Sequence, residues 1–178
     1  MAKNMNNNEH KFFIEPEDEI DYFDAIDSTE DGYTHINIYS KGKTKLGRDL
    51  SNFSPYSFTL EPYGWFPSVE SFYFWFLTGQ KHHELRKLSG AAAKAAAEKY
   101  THDRLEMTDE RLGVIQAAIC AKIAQNPDLA ERLKKSTLAF KHYYCYGTKV
   151  INVEDEHGWF VQTIEDIRTA LKEGDEHE

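Results

Sequence analysis

The chain has 178 residues and a formal charge of −9, with 40% hydrophobic and 13% aromatic side chains. That length can bury one sizeable core. The acidic balance excludes broad, sequence-independent binding to phosphate backbones, while leaving room for a local basic pocket that grips one nucleotide. Cys120 and Cys145 stand far apart without metal-ligand spacing, so a reduced, cytoplasmic protein without disulfide framework or structural zinc is expected. The start "MAKNMNNNEHKFF" has no apolar signal core, and no run reaches the ~18 apolar residues of a membrane span.

In chain order, residues 1–11 are Asn-rich and polar, a composition that predicts a disordered tail. Residues 14–32 are strongly acidic and predict a short helix or a docked arm, so an acidic, partly disordered arm over 1–32 precedes a domain over 33–174. "YTHINIYS" (33–40) sets Ile36 and Ile38 against His35, Asn37 and Tyr39, which is a strand pattern. "KGKTKLGRD" (41–49) carries Gly42 and Gly47 among Lys41, Lys43, Lys45 and Arg48 and reads as a loop. Glycines with cations can hold a phosphate through backbone amides and charge. The stretch matches no P-loop, and solvated surface cations are the plainer reading.

The ring-rich run "LSNFSPYSFTLEPYGWFPSVESFYFWF" (50–76) turns helical from Pro67. Pro67 or Ser68 opens the helix, Glu70 falls in its first turn and Gly79 closes it. "SGAAAKAAAEKY" (89–100) is helix by alanine propensity, with Lys94 at its centre. Thr108 caps the next helix, whose apolar stripe of Leu112, Ile115, Ile119 and Ile123 ends at Asn126-Pro127. Asn126 then caps a short helix through Lys135. "FKHYYCYGTKVINV" (140–153) alternates around Gly147 and predicts a bent strand or a small hairpin. Phe160, Ile164, Ile167 and Leu171 give a last amphipathic helix ended by Gly174. The pattern describes a compact, mostly helical α+β domain with a few short strands.

Glu70 has two readings. A first-turn carboxylate is stabilised by the helix dipole and free amides and needs no further role. Placed among Trp65, Phe66, Tyr73 and Phe74, it is also a candidate acid or base, because burial raises a carboxyl pKa while the dipole lowers it. His142, Tyr144 and Tyr146 share one strand face, suited to stacking on a base or to ordinary cross-strand packing.

"YSKGKTKLGRDLSNFSPYSF", "FPSVESFYFW", "SGAAAKAAAE" and "FKHYYCYGTKV" together resemble the NADAR superfamily, also called YbiA-like, over about residues 33 to 172. The resemblance implies a compact α+β fold and cofactor-free, metal-free N-glycosidase activity on a ribose C1–nitrogen bond. Its substrates are an ADP-ribosylated guanine in DNA or RNA, or a small nucleotide-like riboflavin-synthesis intermediate. The family glutamate falls on Glu70 in "PSVE", and Asn52 and Phe53 of "LSNF" become pocket contacts. Arg48, with Lys43, would meet a phosphate. Lys94 matches a family lysine considered for a Schiff base with opened ribose, a role also open to Lys41. Trp65, Tyr73, His142, Tyr144 and Tyr146 are the side chains expected around the base. Met107 stands where relatives carry a functional Trp, and "HYYCYG" replaces their Asp-x-x-Trp-Gly segment. These departures favour the ADP-ribosyl substrate over the riboflavin intermediate, with a non-catalytic ADP-ribose or nucleotide binder as the alternative.

Overall fold

The computed structural model describes residues 26–174; the polar tail and most of the acidic arm lie outside them. The alternation at 33–40 becomes β1 (His35–Asn37), buried throughout. It pairs in parallel with β4 (Ala139–Lys141), Ile36 opposite Phe140. β5 (Tyr143–Tyr146) and β6 (Lys149–Asn152) form an antiparallel hairpin, whose turn places Gly147 at φ +61°. The Asn37 side chain joins the two sheets. Its Nδ2 donates to the Tyr143 carbonyl at 3.1 Å and its Oδ1 accepts from the Tyr143 N–H at 3.2 Å, so one amide imitates a strand edge.

The loop expected over 41–49 is corrected in its second half. Thr44 Oγ1 accepts from the Gly47 N–H at 3.0 Å and caps α1 (Lys45–Leu50). A Cβ at position 47 would lie 2.2 Å from the Asn37 carbonyl oxygen, so glycine stands there to let α1 close on β1. A further hairpin, β2 (Phe58–Leu60) with β3 (Gly64–Phe66), was not anticipated. Tyr56, Phe58 and Leu60 do alternate with Ser57, Thr59 and Glu61, a strand signal that the surrounding ring-rich run obscured.

The helices follow the expected order. Ser68 Oγ accepts from the Ser71 N–H at 3.2 Å and starts α2 (Val69–Leu77). α3 (Gly90–Ala97) continues as a tight turn over Glu98–Asp103. Thr108 caps α4 (Asp109–Ala124). Pro127 opens α5 (Pro127–Lys135), but Asn126 does not cap it. Its amide instead donates to the Ser57 and Lys122 carbonyls at 3.0 and 2.7 Å. α6 (Glu154–Glu173) buries Phe160 and Ile164.

The fold is a helix-dominated α+β arrangement with three two-stranded sheets among the described residues. One core cluster runs from Ile36 to Ile164. Most rings of the 50–76 run serve it: Phe66 meets Phe72 edge-on at 5.0 Å, and Phe72 stacks on Phe76 at 5.4 Å. Each such fully buried ring contributes roughly 1.5–3 kcal/mol. The Arg86 guanidinium covers Phe66 at 4.4 Å and Trp75 at 4.6 Å. Among the described residues no helix is long and apolar enough to cross a membrane.

Candidate functional site

Glu70 occupies the first turn of α2, where a carboxylate is normally solvated. Here it is only 8% exposed. Its N–H donates to the Asn52 carbonyl at 2.9 Å, which ties "LSNF" to the start of α2. Burial pushes its carboxyl up to about 7, against the pull of Lys94 and Arg104, and no described residue donates a hydrogen bond to it. Desolvation therefore outweighs the two cations together.

Four walls meet around this carboxyl. Asn52 and Phe53 supply the first, and Asn52 Oδ1 is buried without a partner among the described residues. An acceptor left so is unfavourable by about 1–3 kcal/mol until a donor reaches it. α3 supplies the second. It starts at Gly90, at φ +52°, where a Cβ would lie 2.9 Å from the Phe53 carbonyl oxygen. That approach brings the Lys94 ammonium to 6.0 Å from the Phe53 ring centre and within electrostatic range of Glu70.

Arg104, missed in the sequence reading, forms the third wall. Its Nη2 donates to Tyr73 Oη at 2.9 Å, and its segment is pinned by the Leu105 N–H on the Leu77 carbonyl at 2.7 Å. It lies in an irregular stretch with no periodicity, so nothing in the pattern marked it. Tyr144 is the fourth wall, tilted against Tyr39 at 5.2 Å. Burial raises the Tyr144 phenol, and the Glu70 charge raises it further, which puts both groups in one neighbourhood. Tyr146 stands 59% exposed on the same hairpin.

Other expected contacts are placed elsewhere. His142 is buried, and its Nδ1–H donates to the Ile38 carbonyl at 2.7 Å. Its ring lies edge-on to Phe160 and Tyr144 at 5.3 and 5.4 Å. Burial pushes it down to about 4, so it is a neutral strut beneath Tyr144. Trp65 is 54% exposed on the β3 face opposite Phe66, because neighbouring strand residues point to opposite sides. Lys43 Nζ donates to the Thr29 carbonyl at 2.8 Å. Arg48 Nη1 donates to the Gly42 and Lys43 carbonyls at 2.8 and 2.6 Å. These cations hold their own loop, whose backbone also hangs on buried Asp31 through the Lys43 N–H at 2.7 Å.

Lys122 on α4 was also missed. It is 1% exposed and lies on the same helical stripe as Ile115, Ile119 and Ile123. Burial pulls it down to about 7 while Asp49 opposes that shift. Among the described residues no group of three His, Cys, Asp or Glu side chains could hold a metal ion. A scan against family models and searches of curated proteins and solved structures return no match to this chain.

Proposed function

We propose that the protein is an N-glycosidase that hydrolyses a ribose C1–nitrogen bond, releasing ADP-ribose from guanine in nucleic acid. The observation that carries this reading is Glu70, a buried carboxyl pushed up to about 7, with Lys94, Arg104 and Tyr144 within electrostatic range. The NADAR resemblance of "LSNF" and "PSVE" supports the substrate class.

Breaking the bond develops positive charge on the ribose, which a carboxylate beside C1 stabilises. Glu70 takes that role and accepts the proton of the attacking water. The electrons of the broken bond pass to the guanine nitrogen, which takes up a proton from solvent, and Glu70 returns the water's proton to solvent. Tyr144 and Tyr39 stack on the leaving base. Lys94 and Arg104 meet the diphosphate and favour the ionised carboxylate. Asn52 Oδ1 accepts a hydrogen bond from a ligand hydroxyl or amine.

The test is Glu70→Gln on an oligonucleotide bearing ADP-ribosyl guanine, with circular dichroism to verify the fold. Release slowed by roughly 10²–10³-fold is expected for loss of a charge-stabilising group. A folded variant that releases ADP-ribose at the unaltered rate would exclude the assignment. Tight ADP-ribose binding without release by the native protein would favour the non-catalytic binder, a reading motivated by Met107 at the position of the family Trp.

A further inference from the structure

We infer that Lys122 is a positioning residue that fixes the Asn52–Phe53 segment against Glu70. For its catalytic consequence this rests on the glycosidase reading; its structural part does not. The Lys122 ammonium shares its three hydrogens among the carbonyls of Asp49, Leu50 and Ser51 at 2.7, 3.1 and 2.8 Å and Ser54 Oγ at 2.7 Å. The last carbonyls of a helix have no partner inside it, and here one cation gathers those at the end of α1. Ser54 Oγ closes the loop with its one hydrogen shared between the Asp49 and Ser51 carbonyls at 2.6 and 2.9 Å.

Chain 49–54 is therefore wrapped around one side chain of α4, and the residues inside that wrap carry the site. Asn52 gives its carbonyl to the Glu70 N–H, and the Phe53 carbonyl is the surface against which Gly90 seats α3. Two of the four walls thus take their position from Lys122, although it is a buried group with no role in the proposed chemistry. The α4 stripe does not itself need a lysine. An apolar side chain of similar volume would fill it without desolvating a charge, an exchange that is often neutral or stabilising where a buried ion serves no other group. The carbonyls of the loop are what require the ammonium.

The experiment compares full-length Lys122→Met with Ile164→Ala, a cavity variant on α6. Thermal melts, the Glu70 carboxyl titration by carbon-13 NMR and ADP-ribose release are measured for each. Both variants are expected to melt earlier. Only Lys122→Met is expected to move the Glu70 titration toward the ordinary carboxylate range, as water reaches the loosened wall. It should also lower kcat by roughly tenfold to a hundredfold, the effect of small misplacement of reacting groups. An unaltered Glu70 titration and kcat in folded Lys122→Met would overturn the inference. If Lys122→Met does not fold, Ser54→Ala removes one acceptor and the hydroxyl donor that the two loop carbonyls share. It should shift the titration in the same direction by a smaller amount, and no shift overturns the inference. Should the native protein release no ADP-ribose, the glycosidase reading fails while the titration still decides the role of Lys122.

Discussion

Glu70 on α2 and Lys122 on α4 are both buried, and burial pushes both to about 7 from opposite directions. Their surroundings differ. Lys122 faces four oxygens within 3.1 Å, whereas the Glu70 carboxyl receives no hydrogen bond from a described residue. A perturbed proton affinity alone therefore does not mark a functional group. The partner set does: a saturated buried ion holds structure together, and an unsaturated one remains available to a ligand.

Stability measurements should separate the two ions by sign. The largest effect is expected for Lys122→Met, which removes the donor shared by three carbonyls and a hydroxyl, leaves the Leu50 carbonyl without its partner, and should destabilise the fold by about 3 kcal/mol in denaturant titrations. Glu70→Gln should do the opposite. Its carboxyl binds a proton more tightly folded than unfolded, so native stability falls as pH rises from 4.5 to about 7, and the penalty is complete above that. Removing the charge should stabilise the protein by roughly 1–3 kcal/mol at pH 8 and much less below pH 4.5. If Glu70→Gln were destabilising at pH 8, the carboxylate would have structural partners and the contrast would collapse.

Smaller perturbations sharpen the same contrast. Lys94→Met should raise the Glu70 pKa in a carbon-13 titration, since Lys94 is the larger of the two cationic pulls on it. kcat/KM should then rise with pH through a correspondingly higher midpoint. The smallest effect is expected for Trp65→Ala. An exposed ring on the outer face of β3 should leave stability within about 0.5 kcal/mol and ADP-ribose release unaltered. A large loss of release would extend the site to the β2–β3 hairpin.

Local signals with one dominant cause were legible in the sequence. Ser68 and Thr108 are caps, alanine makes α3, and the spacing of Phe160 and Ile164 makes α6. Where two causes compete, the pattern was silent. Gly47 lowers helix propensity by about 1 kcal/mol relative to alanine, yet α1 needs it to pass the Asn37 carbonyl. Glu70 was legible as a candidate, but dipole and burial act on it with opposite sign, and only its depth decides between them. Lys122 sits at stripe spacing with Ile115 and Ile119. Long cationic side chains commonly reach out of such stripes to water, so the spacing did not reveal its burial. Lys43 and Arg48 show the converse: the sequence marks a cation rich in donors, and only the structure shows that some of those donors hold the loop's own carbonyls.

The Asn37 amide has a consequence for the order in which the molecule opens. The joint between β1 and β5 consists of that side chain and the 2.7 Å contact of His35 Nε2 with Tyr143 Oη, with no backbone ladder between the two strands. Locally opening units tend to separate where few main-chain bonds cross. The β5–β6 hairpin should therefore exchange its amide hydrogens as a unit of its own, ahead of α4. The Tyr144 wall would then move with the hairpin once the Asn37 and His35 contacts to Tyr143 let go, while the aromatic core beneath α2 stays shut.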